Sequence, residues 1–337
     1  MKNINTFKKI IFAVLATSTI VSCERNSTYE DAKPSIANIA VSNPNFSTLE
    51  AAAVAGGVVG VLSNANAGDP SGNFTVFAPT NAAFDKLGLN SETLGVLNPT
   101  FLTNTLLYHV SNGDLMSGSF TATSPSALGG ITRRFIEKNG DKYINGSKII
   151  ATNIAAANGT VHAIDKVMIA TGADIVDSAL AVQSGGVFVK PELTYLVEAV
   201  VYAGLAGPDS PLRTAPSLTV FAPTDAAFIK LSEALVAAGI LPTKFTRKED
   251  VRNLPVEVIT AVLTNHVIGG GKFTPEMMSG ANNAFGGQIL TIGAFVNGVL
   301  TIKGANADFP AANMVIPDIS AKNGVIHIVD SVIMPTL

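Results

Sequence analysis

Thr75-Val76-Phe77-Ala78-Pro79-Thr80-Asn81-Ala82-Ala83-Phe84 returns 144 residues later as Thr219-Val220-Phe221-Ala222-Pro223-Thr224-Asp225-Ala226-Ala227-Phe228, changed only from Asn81 to Asp225. So long a near-identity marks a duplicated unit. The β-branched and aromatic run predicts a strand that Pro79 ends. Thr80 then stands where a hydroxyl can cap a following helix, and Asp225 falls in the first turn of its counterpart, where a negative charge suits the helix dipole. Further out, His109 pairs with His266, Ala127-Leu128-Gly129-Gly130 with Ala284-Phe285-Gly286-Gly287, and the stretch Asn158-Gly159-Thr160-Val161-His162-Ala163-Ile164-Asp165 with Asn323-Gly324-Val325-Ile326-His327-Ile328-Val329-Asp330. All four blocks recur in the same order.

The offset grows from 144 to 157 and then to 165 residues, so the second copy carries insertions. The first, within residues 237–256, holds Lys244, Arg247, Lys248, Glu249, Asp250 and Arg252 and reads as a solvated excursion. Each Asn-Gly pair predicts a type I′ hairpin turn that launches a strand, and the apolar residues flanking His162 and His327 predict that those strands are buried. Helical patterns cover Ser47 to Val61, Glu192 to Tyr202 and Ala226 to Ala238. Strands mixed with helices give an α+β class in two tandem domains.

The chain has 337 residues, 47% of them hydrophobic and 14% charged, which provides two ordinary cores. A net charge of -3 with scattered Lys and Arg excludes a phosphate-neutralising surface, so nucleic acid is not an expected partner. Cys23 is the sole cysteine, which rules out an intrachain disulfide and any multi-cysteine metal site. Lys2, Lys8 and Lys9 precede an apolar run from Ile10 to Val21, which is too short to span a bilayer comfortably. Ile20-Val21-Ser22-Cys23 resembles a bacterial lipobox, implying that Cys23 is lipidated and becomes the mature N-terminus. Two or more acyl chains anchor durably where one is marginal, so the expected membrane partner is reached through the N-terminal lipid. The expected layout is a signal peptide at 1–22, a tether at 23–33, a first domain at 34–171 and a second at 172–337.

The Thr-Val-Phe-Ala-Pro-Thr segment with its small-small-Phe helix start, the Tyr108-His109 pair and the closing Asn-Gly-x-x-His-x-x-Asp strand together resemble the fasciclin-like domain family, twice over most of the chain. The resemblance implies a wedge of β-strands with flanking helices and a non-enzymatic role in adhesion or surface attachment. Some members in photosynthetic organisms hold carotenoids, which implies an alternative role as a carrier of an apolar, carotenoid- or lipid-like molecule. In some animal relatives a Pro-Asp-Ile segment before the last turn has been implicated in integrin binding. Pro317, Asp318 and Ile319 occupy the matching place and are candidate partner-binding residues, although Ile316 stands where the family has an acidic residue and the first domain has no Pro-Asp there. The plainer reading makes Pro317 and Asp318 loop-shaping residues.

Catalytic chemistry finds little support. His109, His162, His266 and His327 form two repeat-equivalent pairs, and their apolar neighbours favour hydrogen-bonded core histidines over bases or ligands. Neither His-x-x-x-His, Cys-x-x-Cys nor clustered carboxylates complete a metal site, and no cofactor is implied. Asp165 and Asp330 follow their histidines by three residues and so lie on the opposite strand face, a poor geometry for charge relay. Thr80, Thr224 and Asp225 are read with the histidines as structural motif residues. The expected function is an envelope-anchored, non-catalytic binding or adhesion lipoprotein, on the outer membrane, whose partner is a protein or a surface glycan or matrix component.

Overall fold

A computed structural model describes residues 33–124, 131–190 and 192–336. The leader, the lipobox with Cys23, the tether as far as Ala32 and the 127–130 repeat block lie outside the described residues. The described residues form one compact unit.

The first domain runs through helices α1 (Ile36–Ser42), α2 (Ser47–Ala55) and α3 (Val59–Ser63), strand β1 (Phe74–Pro79), helices α4 (Asn81–Asp85) and α5 (Pro99–Tyr108), then strands β2 (Val110–Asn112), β3 (Thr123–Ser124), β4 (Arg133–Lys138), β5 (Asp141–Ile144), β6 (Ser147–Ala156) and β7 (Gly159–Ile164). A short strand, β8 (Ile169–Ala170), leads out of it. In the second domain come α6 (Ile175–Gln183), α7 (Thr194–Tyr202), α8 (Pro211–Thr214), β9 (Leu218–Pro223), α9 (Asp225–Ala237) and α10 (Val256–Asn265). They are followed by β10 (Val267–Gly269), β11 (Gly280–Asn283), β12 (Ile289–Ile292), β13 (Thr301–Lys303), β14 (Ala312–Ala321) and β15 (Gly324–Val329). The strand orders are β2-β1-β7-β6-β5-β4-β3 and β10-β9-β15-β14-β13-β12-β11, the same path twice. The class is α+β, as expected.

In each copy the two motif strands lie side by side. β1 pairs in parallel with β7, with Val76 opposite Val161 and Phe77 opposite His162, and β9 pairs likewise with β15, with Phe221 opposite His327. Helices pack on one face of this pair and the distal meander on the other, so its residues are buried on both faces, which suits a continuous apolar run better than an alternating one. Phe77 and Phe221 are fully buried and stack on His162 and His327 at ring separations of 5.3 and 5.8 Å. Burying a phenyl ring contributes on the order of 2 kcal/mol.

Three expectations need correction. The helix expected over Ser47 to Val61 is broken into α2 and α3 because Gly57 adopts a left-handed φ of 68°. The closing hairpins exist, but their turn residues are Ala157-Asn158 and Lys322-Asn323, with Ala156 opposite Gly159 and Ala321 opposite Gly324. Neither turn is type I′, since none of those four residues has positive φ. The glycine is needed for a different reason: a Cβ on Gly159 or Gly324 would strike the carbonyl oxygen of Phe74 or Leu218 on the neighbouring parallel strand. Lastly, the insertion is not wholly solvated. Its charges point outward, but Leu241, Phe245, Val251 and Leu254 enter the second core and fix it there.

Replacing Gly159 or Gly324 with Ala should destabilise the protein by about 2 kcal/mol or more, because strand backbone rather than a flexible side chain blocks the added methyl. Gly60→Ala, which meets open space in α3, should be neutral or stabilising by up to about 1 kcal/mol. Urea-unfolding midpoints of the three variants check this contrast.

Candidate functional site

The repeated polar residues satisfy backbone groups in the same way in both domains. His109, at the end of α5, donates from Nδ1 to the Thr105 carbonyl at 2.7 Å, and its Nε2 accepts from the Met168 N–H at 2.9 Å. His266 does the same with the Val262 carbonyl and the Ile333 N–H, at 2.7 and 2.8 Å. An imidazole that donates from one nitrogen and accepts at the other is neutral. Burial pushes both histidines down to about 4, against the opposing effect of the carbonyl acceptors. His162 and His327 use the other tautomer. Their Nδ1 atoms accept from the Asn153 and Asp318 N–H groups, and their Nε2–H groups donate to the Leu115 and Lys272 carbonyls. Burial lowers their pKa values too. With both ring nitrogens engaged, none of the four presents a free base or ligand.

The remaining motif residues are also tied down. Asn81 accepts from the Thr48 N–H at 3.0 Å, and Asp225 accepts from the Tyr195 N–H at 3.0 Å and the Thr194 hydroxyl at 2.9 Å, so each holds the start of the helix ahead of its strand. Thr224 caps α9 by accepting from the Ala227 N–H at 3.2 Å. Thr80 takes the equivalent N-cap position with extended backbone, yet its hydroxyl makes no capping hydrogen bond. Asp165 pairs with Lys86 at 3.0 Å, and Asp330 accepts from Asn313.

Asn158 and Asn323, read from sequence as turn residues, are the hubs of their domains. The Asn158 amide accepts from the Ile36 N–H and donates to the Leu62 and Asn64 carbonyls. That of Asn323 accepts from the Ile175 N–H and donates to the Leu212 and Arg213 carbonyls. Each binds the opening helices to the final hairpin.

The candidate partner-binding triplet is drawn inward. Asp318, at a left-handed φ of 67°, is 7% exposed, Ile319 is buried and Pro317 half-buried. The Asp318 carboxylate faces the first domain, where Lys166 donates to it at 2.5 Å and also to the Gly298 carbonyl at 3.0 Å and the Thr274 hydroxyl at 3.2 Å. The Thr274 N–H and hydroxyl donate to the same carboxylate. Desolvation alone would raise the Asp318 pKa, but Lys166, helped by the Thr274 N–H, outweighs it and holds the carboxyl below its usual range. Gly146 of the first domain has no Cβ to obstruct this carboxylate.

Next to that ion pair the first domain lends a strand to the sheet of the second. β8 adds in parallel to β14, with the Thr171 N–H donating to the Ser320 carbonyl at 3.0 Å. In return, the Asn98 N–H donates to the Val187 carbonyl and the Val189 N–H to the Val96 carbonyl, and Leu97 bridges to Phe188. Arg134 reaches across to Glu276 at 2.7 Å and lies over the Phe273 ring. An apolar crevice lined by Leu102, Leu196 and Ile319 lies between the domains. On the second domain, Tyr195 and residues 246–249 of the insertion line a shallow open depression. Neither Lys166 nor Arg134 was singled out from sequence. For Lys166 the available signal was that its repeat partner is the uncharged Ser331.

Among the described residues no group of three or more His, Cys, Asp or Glu could hold a metal ion, and no helix is long and apolar enough to cross a membrane. A Fasciclin domain model matches residues 44–170 and 191–335. Protein sll1483 of Synechocystis sp. is 35% identical over 141 residues, spanning 41% of this chain and 75% of its own length. Periostin of Homo sapiens is 27% identical over 280 residues, which are 78% of this chain and 28% of periostin. Cell surface glycolipoprotein MPB83 of Mycobacterium bovis is 32% identical over 140 residues, 41% of this chain and 61% of that protein. The solved FAS1 domain pair from the insect cell adhesion molecule fasciclin I aligns with a TM-score of 0.37 at 15% identity, covering 78% of this chain and 88% of that one.

Two outcomes follow from these groups. The folded pKa of His109 and of His266, about 4, lies below the ordinary 6.5, so the unfolded chain binds more protons between those values. Their contribution, on the order of 3 kcal/mol each, is complete above pH 6.5 and lost as pH falls toward 4. Thermal midpoints should therefore be flat above about pH 7 and fall steeply below it, less steeply in His266→Gln. Separately, Lys166→Met should cost about 3–5 kcal/mol by leaving a buried carboxylate unpaired, with much of the loss restored by adding Asp318→Asn. Chemical unfolding of the single and double variants measures both.

Proposed function

The chain belongs to the fasciclin-domain family, and from that premise we propose that it is an envelope-anchored, non-catalytic lipoprotein that attaches to a protein, glycan or matrix partner through its two modules. Proteins of this family are adhesion and surface proteins, in general without catalysis. The observation that carries the reading is the complete internal engagement of the four histidines, which leaves the motif residues as scaffold and turns attention to the surface. MPB83, a relative, bears the name cell surface glycolipoprotein, and the lipobox of this chain supports lipidation at Cys23 and an outer-membrane site.

The surface favoured for the partner is the depression beside the second-domain insertion, which has no counterpart in the first domain and presents Lys248 and Glu249. A second reading, carriage of an apolar small molecule, is favoured by the crevice between the domains. Mass spectrometry of an organic extract of protein purified from native cells tests it, and an extract without any apolar compound counts against it.

Attachment of cells carrying the full-length protein to matrix-coated surfaces should fall several-fold on combining Lys248→Glu with Glu249→Lys, while stability stays within about 0.5 kcal/mol. Unaltered attachment would remove the depression as the contact. Labelled fatty acid should enter the wild type and not Cys23→Ala, and equal labelling would overturn the anchor.

A further inference from the structure

We infer that the groove between α1, α2 and α3 of the first domain is a membrane-contact surface, which lays apolar side chains into the headgroup boundary of the bilayer that carries the anchor. The inference rests on lipidation at Cys23 and says which face of the protein then meets the lipid. Val41 of α1, Val54 of α2 and Val59 of α3 are 60, 66 and 39% exposed, and all three line one groove together with Ala37 and Ala40. Valines exposed singly need no explanation, but three that converge on one groove do. Between Pro34 and Gly68 the only charged residue is Glu50.

The duplication supplies the comparison. The second domain has the same three helices ahead of its first strand, with Ile175 held to Asn323 as Ile36 is held to Asn158. There the stretch from Ala173 to Ser217 holds seven charged residues, and Arg213 of α8 clasps Asp174 and Asp177 at the start of α6. In the first domain Ser35 and Asn38 stand in the places of those two carboxylates. The apolar lining of α6, α7 and α8 is also partly covered, because Phe101 and Leu102 of the first domain face it across the crevice and Phe101 packs on the second core. One copy of the helical groove meets protein, while the other leaves its valines to solvent.

The path of the chain names the occupant. Lys33, three residues ahead of α1, follows Cys23 by ten residues, a length that spans at most about 36 Å even when fully extended. An acylated Cys23 therefore keeps the start of α1 within that distance of the bilayer. A second copy of the chain fits the groove less well. The seam between the domains is held by Lys166 on Asp318, and their repeat counterparts, Ser331 and Asn153, would bring no charge to such a contact. With no Lys or Arg between Pro34 and Gly68, attraction to anionic headgroups adds nothing, so the contact is made by apolar insertion. Tethering raises the effective concentration of so small a patch enough for a weak contact to hold.

The test uses the full-length lipidated protein in phosphatidylcholine vesicles. Cys23 is the sole cysteine and the lipid consumes its thiol, so Val54→Cys and, in β12 of the second domain, Ile289→Cys each offer one thiol for a bimane label. With lipids brominated near the top of the acyl chains, bimane at position 54 should be quenched roughly two-fold and bimane at position 289 not at all. Adding Val41→Glu and Val59→Glu, both at exposed positions, should remove the quenching. High salt should leave it unchanged. Flotation with the vesicles reads the anchor separately. A protein that fails to float removes the anchor and this inference with it. One that floats with bimane at 54 no more quenched than at 289 overturns the membrane contact and leaves the anchor standing, as does quenching that survives the two added substitutions or disappears in high salt. A blue shift without quenching that grows with protein density would give the groove to a second copy and likewise overturn the proposal.

Discussion

The parallel pairing of each domain's first motif strand with its last governs the rest of the structure. β1 and β7 are separated by about eighty residues of chain, yet lie in register as adjacent interior strands of their sheet, as do β9 and β15. Everything between must leave one strand and return beside it, which makes each domain a closed excursion around a single contact. Such non-local pairing is costly in chain entropy, and it is held by groups that tolerate no alternative: a glycine where two backbones nearly touch, a buried Phe on a neutral imidazole, and an asparagine whose amide gathers the opening helices onto the closing hairpin.

Imidazole suits that role better than most polar side chains. It can donate at one nitrogen and accept at the other without carrying charge, so it bridges two backbone groups that would otherwise be unsatisfied in a dry interior. The two tautomers are assigned by place, with one set locking the helix before β2 or β10 to the chain beyond the last strand, and the other locking the bulged strands β6 and β14 to the loop opposite. The bulge brings Asn153 and Asp318 into left-handed backbone at equivalent points. In the first domain that position holds an exposed amide; in the second it holds the carboxylate that receives Lys166.

Much of this was legible in the residues. The duplicated Thr-Val-Phe-Ala-Pro-Thr run announced strand, stop and helix, and the apolar neighbours of His162 and His327 announced burial, because those signals are local. What escaped depends on partners far away in sequence. Asn158 looks like an ordinary turn residue until Ile36, 122 positions earlier, is seen against its amide. Lys166 looks like any surface lysine until Asp318, 152 positions later, closes on it. Within the insertion the charges dominate the composition and concealed Phe245 and Val251, whose burial was the more informative fact. Pro317, Asp318 and Ile319 were noticed for resemblance to a binding segment, whereas their surroundings make them part of the seam between domains.

The strand that crosses that seam bears on how the molecule would carry tension. A load applied to the first domain and one applied to the second would meet at the interface, and the connection between the domains is not a free linker. Separating the domains means shearing β8 along β14, peeling residues 187–189 from residues 96–98, and extracting a lysine from a buried carboxylate. Two modules joined this way share a load across their seam, unlike two beads on a string.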